Sequence, residues 1–263
     1  MRICRVSVDG GLFFGLIEGL SEAGEIGEGT LVALLDGHLF GDLAPEGRIL
    51  KASDVRFIAP VLPSKIIAVG RNYAAHAKEM GGEVPVSPMI FLKPSTSVIG
   101  PGEPVLLPWQ SEQVEHEAEL AVVIGRLCSD VPVDRVPDVV LGYTCANDVT
   151  ARDLQKSDGQ WGRAKGFDSF CPLGPWIVTD LETDAASISC HVNGEVRQRG
   201  STGEMVFDVA ELVSWISSVM TLLPGDVILT GTPAGVGPIR AGDEVSVTIE
   251  GVGTLTNPVV DRG

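Results

Sequence analysis

Positive charge is scarce in this chain: 19 lysines and arginines stand against 35 aspartates and glutamates, a formal net charge of -16. That balance opposes electrostatic capture of nucleic acid or of an anionic membrane surface. Aromatic residues make up only 5% of the chain, so a stacking platform for bases is not expected. No stretch approaches the roughly 18 consecutive apolar residues of a membrane-spanning helix. The opening MRICRVSVDGGLFFGLIEG carries two early arginines, but Asp9, Gly10 and Gly11 interrupt its apolar run, unlike a secretory leader. Cysteine is limited to Cys4, Cys128, Cys145, Cys171 and Cys190, an odd number too widely spaced to form a close metal-ligand pair. Free thiols and a cytoplasmic location are therefore expected. If the substrate is itself an anion, a bound divalent cation or a local cluster of Lys and Arg must overcome the global field.

What is present is apolar and finely punctuated. A hydrophobic content of 44% over 263 residues suffices for a packed core, and 32 glycines and 17 prolines are scattered as turns between short strands. Residues 1–58 read as a small β-rich N-terminal domain with strands in RICRVSV, LFFGLIEG, TLVALLDG and RFIAP. Residues 59–263 read as a second, larger domain. There KIIAVG is a buried strand, and NYAAHAKEM is a helix that Asn72 can cap and Gly81 can end. Further strands are expected in MIFLK, SVIG, PVLLP, HEAELAVVIG, VVLGYTCAND, PWIVTD, DVILTG, DEVSVTIEG and TLTNPVV, with an Asn193-Gly194 hairpin in ISCHVNGEVRQRG. In FDVAELVSWISSVMTL, Val209, Leu212, Val213 and Ile216 share one helical face. Many strands and few helices predict a β-rich α+β roll or sandwich.

The sharpest chemical feature is Glu117 and Glu119 in HEAELAVVI, because strand residues two apart face the same way. Two carboxylates on one face of an apolar strand repel unless a cation lies between them, and all-oxygen ligation suits Mg²⁺, Mn²⁺ or Ca²⁺. The alternative is a pair of solvent-facing carboxylates on an exposed edge. Asp148 follows an apolar strand where polar residues begin and is the best third ligand. Asp153 competes, although its neighbour Arg152 points to a structural ion pair. His76 and Glu79 are spaced i and i+3 on a helix, so a carboxylate can fix the imidazole tautomer and strengthen the other ring nitrogen as a base. A solvated surface pair is the plainer reading. Gly81-Gly82 offers a hinge. The GTPAGVG turn lacks the ending of a phosphate-binding loop, but its amides and the Thr232 hydroxyl can hold a carboxylate; a tight β-turn is the alternative. His38 and His191 carry no partner signal.

Taken in order, AVGRNYAAHAKEM, PMIFLKPSTSVIGPG, HEAELAVVIG, GYTCANDVTARDLQ, WGRAKGFDSFCPLGPWIV, NGEVRQ, LLPGDVILTGTPAGVG and GDEVSVTIEGVGTLTNPV resemble the fumarylacetoacetate hydrolase superfamily over nearly all of residues 60–260. Residues 1 to about 58 resemble the small N-terminal domain of a bacterial branch labelled 2-hydroxyhepta-2,4-diene-1,7-dioate isomerases. The resemblance implies a β-roll fold, a homodimer, and one Mg²⁺ or Mn²⁺, with Ca²⁺ as a substitute, held by Glu117, Glu119 and Asp148. It also implies substrate contacts from Lys165, Gln155, Thr232 and Arg71, and a His76–Glu79 dyad on a mobile lid.

The expected substrate is a small anionic 2-oxo acid, whose carboxylate and keto oxygens chelate a metal that stabilises the enolate. Acylpyruvate hydrolysis, oxaloacetate decarboxylation and double-bond migration in an unsaturated dioate all share that intermediate. The dyad favours bond cleavage, since hydrolysis needs a base to activate water. Isomerisation is second, and a non-catalytic assembly partner is the alternative from another class.

Overall fold

The computed structural model describes residues 1–21 and 24–262. Its spine is a twelve-stranded sheet in which Leu43–Lys51, Leu31–Gly37, Gly11–Glu18 and Arg2–Val8 lead through Cys171–Val178 and Val140–Asn147 to Ala118–Ile124. The path then continues through Val227–Leu229 and Ile66–Gly70 to Met89–Lys93. Arg56–Ile58 pairs with Arg2–Val8, and Val98–Ile99 pairs with Cys171–Val178. The N-terminal strands thus extend the same sheet, joined where Arg2 and Ile3 register with Val178 and Ile177. A five-stranded sheet of Glu195–Ser201, Ser187–Val192, Glu244–Ile249, Gly253–Asp261 and Val105–Leu107 packs against it, and Val114–His116 sits between two short strands in a third sheet. The expected β-rich α+β fold is the observed one.

Alternation explains how the central strands bury both faces. Leu120 and Val122 join one apolar cluster with Val69, Leu212, Ile216 and Val247, while Ala121 and Val123 join another with Ile66, Ala68, Leu173 and Leu229. Such strands must read as continuous apolar runs, as AVVI does. The helix Val209–Val219 turns Val209, Leu212, Val213 and Ile216 inward as its periodicity predicts, and Asp208 and Glu211 close a reciprocal capping box at its start. Asn193 and Gly194 both have positive φ, as the tight hairpin they form requires. All five cysteines are free. No helix among the described residues is long and apolar enough to cross a membrane.

The short helix departs from expectation at its start. It spans Ala74–Glu79, with Tyr73 rather than Asn72 in the capping position and no side-chain cap. Asn72 is fully buried, donating to the carbonyls of Phe207 and Thr230 and accepting from the Phe207 N–H. Tertiary partners outbid a local cap, and Asn72 ties the helix entry to two distant segments. The C-terminal end is as read: Gly81 has φ of 71°, and Gly82 N–H and Gly81 N–H bond back to Ala77 and Lys78.

Candidate active site

The acidic residues meet at a break in a strand. Val114–His116 and Ala118–Ile124 are separate elements, with Glu117 at the junction. The Asn147 side chain accepts from the Glu117 N–H at 2.9 Å, and the Asp148 N–H donates to the Glu117 carbonyl at 2.8 Å. These bonds place Asp148 beside Glu117 as the neighbouring strand ends. Glu119 sits inside the wholly buried strand Ala118–Ile124, so the exposed-edge alternative is excluded. One carboxylate oxygen from each of Glu117, Glu119 and Asp148 lies within 4.8 Å of the others. Asp153 is held elsewhere, accepting from the Ser111 hydroxyl at 2.6 Å and the Glu112 N–H at 2.9 Å.

Three buried cations surround this trio. Lys165 Nζ donates to Glu117 at 2.7 Å and to Asp148 at 2.6 Å. Lys93 Nζ donates to the other oxygen of Asp148 at 2.5 Å. Arg152, expected to pair with Asp153, instead spans Glu115 at 2.7 Å and Glu117 at 2.5 Å, with its third nitrogen on the Gln155 carbonyl oxygen at 2.7 Å. Lys93 was not expected from the sequence, and Arg152 was expected only as a partner of Asp153. A lysine closing the apolar strand MIFLK was the available signal, since a fully buried lysine must be paired.

The three carboxylates are electrostatically unequal. Burial alone would raise Glu117, but Lys165 and Arg152 hold it well below the usual carboxylate range. Burial would likewise lower Lys165, but Asp148 and Glu117 keep it above its ordinary value. Glu119 is pushed well above the carboxylate range by burial and then by the charges of Asp148 and Glu117. Its resolved contact is the Gly231 N–H at 2.7 Å. A buried acid raised by two neighbouring carboxylates is what a divalent cation at their meeting point would relieve, and an all-oxygen set fits a hard cation. The residues therefore fit Mg²⁺ or Mn²⁺.

Around the trio lies a cleft of about 230 Å³ that also takes in Arg71, His76, Gln155, Lys165 and Thr232. All of these were expected near a substrate, and the fold brings them together from distant segments. Glu79 stands behind His76, 3.2 Å from Nδ1, and is 34% exposed. The glycine-rich turn serves a different purpose from the one expected of its amides. Gly231 N–H holds Glu119 and Gly235 N–H holds Glu79, so its donors orient the protein's own carboxylates. Arg71 adopts φ of 58°, a strained conformation for a non-glycine residue, and its guanidinium lies against Gly82, where an added Cβ would come within 2.8 Å. Trp161, Phe91 and Met80, none singled out from sequence, complete an apolar wall.

Residues 65–260 match the family Fumarylacetoacetate (FAA) hydrolase C-terminal, and residues 1–60 match Rv2993c-like, N-terminal. This chain belongs to the fumarylacetoacetate hydrolase family. Among its relatives, Protein Rv2993c of Mycobacterium tuberculosis is 55% identical over 100% of this chain and 99% of its own length. The human mitochondrial oxaloacetate tautomerase FAHD2A is 46% identical over 83% of this chain and 74% of its own length. A crystal structure of 5-carboxymethyl-2-hydroxymuconate delta-isomerase from Mycobacterium smegmatis superposes with a TM-score of 0.92 at 53% identity, covering 100% of both chains. A maleylpyruvate hydrolase from Sphingobium sp. SYK-6, in complex with manganese(II) and pyruvate, superposes at 0.81 with 31% identity, again over 100% of both. The family resemblance read from the motifs is thus established, and the ranking of activities shifts. Of these relatives one is named an isomerase, one a tautomerase and one a hydrolase, whereas the His–Glu spacing had put bond cleavage first.

Proposed function

We propose that this chain is a divalent-metal-dependent isomerase that moves a proton on the carbon beside the keto group of a small anionic 2-oxo acid. The observation that carries this reading is one cleft in which the acidic trio, the buried Lys165 and an imidazole converge, with Lys93 pairing Asp148. Its relatives named as an isomerase and a tautomerase add weight. A metal held by Glu117, Glu119 and Asp148 would supply Lewis-acid stabilisation of the negative charge that develops when the proton leaves.

The chain's own residues supply the rest. The Glu79 carboxylate can only accept, so His76 Nδ1 carries the hydrogen between them, and in the neutral ring Nε2 is then the nitrogen that takes a proton from the substrate. Lys165 and Arg71 bring positive charge to a molecule of strongly negative net charge, offsetting repulsion of an anion. Thr232 offers a hydroxyl, Gln155 an amide already oriented by Arg152, and Trp161 with Phe91 limits water. Mg²⁺ or Mn²⁺ as resident metal, a homodimer and a cytoplasmic location belong to the same reading.

The test is a spectrophotometric screen of enol-oxaloacetate, 2-hydroxyhepta-2,4-diene-1,7-dioate, acetylpyruvate and fumarylpyruvate with Mg²⁺, paired with a coupled assay for released pyruvate. Isomerisation without pyruvate release is expected, abolished by EDTA, and His76→Ala should slow it on the order of 10²- to 10⁴-fold. Turnover in metal-free buffer contradicts the reading. Hydrolysis is the second reading, favoured by the dyad at an open rim and by the maleylpyruvate hydrolase solved in complex with manganese(II) and pyruvate. Stoichiometric pyruvate from acetylpyruvate or fumarylpyruvate would establish it instead.

A further inference from the structure

Gln198, on the strand Glu195–Ser201, is fully buried, and both ends of its amide are engaged. Its oxygen accepts from the Ala118 N–H at 2.9 Å and faces His116 Nδ1 at 3.0 Å. Its nitrogen donates to the Pro233 carbonyl at 2.8 Å and to Thr232 Oγ1 at 2.7 Å. A backbone N–H can only donate and a carbonyl can only accept, so Ala118 and Pro233 together fix which end of the amide is which. Two consequences follow for the side chains on either side.

His116 Nδ1 must carry a hydrogen, because it faces an oxygen. Its Nε2 is then a bare lone pair, and among the described residues that buried atom has no hydrogen-bond partner. Thr232 Oγ1 must accept, so its single hydrogen cannot point at Gln198. Thr232 is itself buried and lines the cleft beside Glu119 and Lys165, and the cleft is where that hydrogen is left to go. We propose that Gln198, oriented by His116 and the Ala118 amide, is a positioning residue that holds the Thr232 hydroxyl as a donor to a carboxylate of the substrate. Without Gln198 the hydroxyl rotates freely and can present a lone pair to the anion as readily as its hydrogen. The inference rests on the 2-oxo acid reading for the identity of the anion, but not for the direction of the hydroxyl.

Two measurements test it. Nitrogen-15 NMR of the imidazoles in the parent chain should show His116 protonated at Nδ1 and bare at Nε2, the less common tautomer of a free histidine side chain; the opposite tautomer overturns the assignment. Calorimetry then compares Mg²⁺ binding with oxalate binding to the Mg²⁺-loaded chain, for variants shown to be folded by circular dichroism. Thr232→Val and Gln198→Met should each weaken oxalate about ten-fold, the worth of a hydrogen bond to a charged group. Mg²⁺ affinity should not change, Thr232→Ser should retain oxalate affinity, and the double variant should be no worse than either single one. Undiminished oxalate affinity in Gln198→Met, or losses that multiply in the double variant, overturn the proposal. If the parent binds no oxalate in the presence of Mg²⁺, the 2-oxo acid reading fails, and the ring-nitrogen signals separately decide the orientation of Gln198.

Discussion

On the floor of the cleft, Glu117 accepts from both Arg152 and Lys165, and Asp148 from both Lys93 and Lys165, with every partner buried. At the rim, among the described residues, the Glu79 carboxylate meets only His76 and the Gly235 N–H, and it remains one-third exposed. The floor is thus over-determined at two of its three carboxylates: neither Glu117 nor Asp148 moves without stripping a buried cation of its partner. The rim carboxylate lies at the end of a six-residue helix followed by Gly81 and Gly82, and one ring nitrogen and one backbone amide hold it. Buried ion pairs on the floor resist rearrangement, whereas a part-exposed carboxylate is released at small cost.

The largest effect should come from breaking the floor. Arg152→Ala leaves Glu115 and Glu117 buried without their shared partner, and loss of one member of a buried ionic cluster costs about 3–5 kcal/mol. Urea unfolding should register that loss, and a change under about 1 kcal/mol would show that the ion pairs do not hold the floor rigid.

An intermediate effect should come from Glu119, the floor carboxylate that among the described residues has no buried cation in contact. Its pKa is raised in the folded chain, so the folded state keeps a proton that the unfolded state releases above about pH 4.3. Its contribution is complete below that pH and is lost as pH rises toward the raised folded value. Glu119→Gln is neutral throughout, so in EDTA its stability relative to the parent should improve as pH climbs from about 4.5 to 7. Adding Mg²⁺ at about a hundred times its dissociation constant should stabilise the parent by about 2.7 kcal/mol and the variant by much less. Thermal melts with and without Mg²⁺ at several pH values read both effects, and identical pH profiles would remove Glu119 from the cation site.

The smallest stability effect belongs to the rim. Glu79→Gln replaces one partly exposed carboxylate and should change stability by less than about 1 kcal/mol. Turnover should nevertheless fall, because the amide no longer polarises His76 as strongly. A stability loss comparable to that of Arg152→Ala would erase the distinction between floor and rim.

Much of the fold was legible because it obeys local periodicity. Alternation marked the strands, the spacing of Val209, Leu212, Val213 and Ile216 marked the helix face, and Asn193-Gly194 marked a hairpin. Side chains that face one another across distant segments were not legible. Asn72 reads as a helix cap because Asn is a good one, yet its partners Phe207 and Thr230 lie far along the chain. Arg152 reads as the partner of adjacent Asp153, yet it reaches Glu115 and Glu117, more than thirty residues earlier in the chain.

The sequence by itself determined the alternation of buried strands, the closeness of Glu117 and Glu119 along the chain, and the His–Glu spacing on a helix. Each of these depends only on residues near one another in the chain, where backbone geometry converts spacing into direction. Only the tertiary structure decided that Asp148 rather than Asp153 completes the trio, that Lys93 and Lys165 share Asp148, and that Gln198 sits between His116 and Thr232. Those pairings join strands that meet through sheet order and register, and burial makes each unpaired charge or amide so costly that the fold must satisfy it from wherever in the chain a partner can be brought.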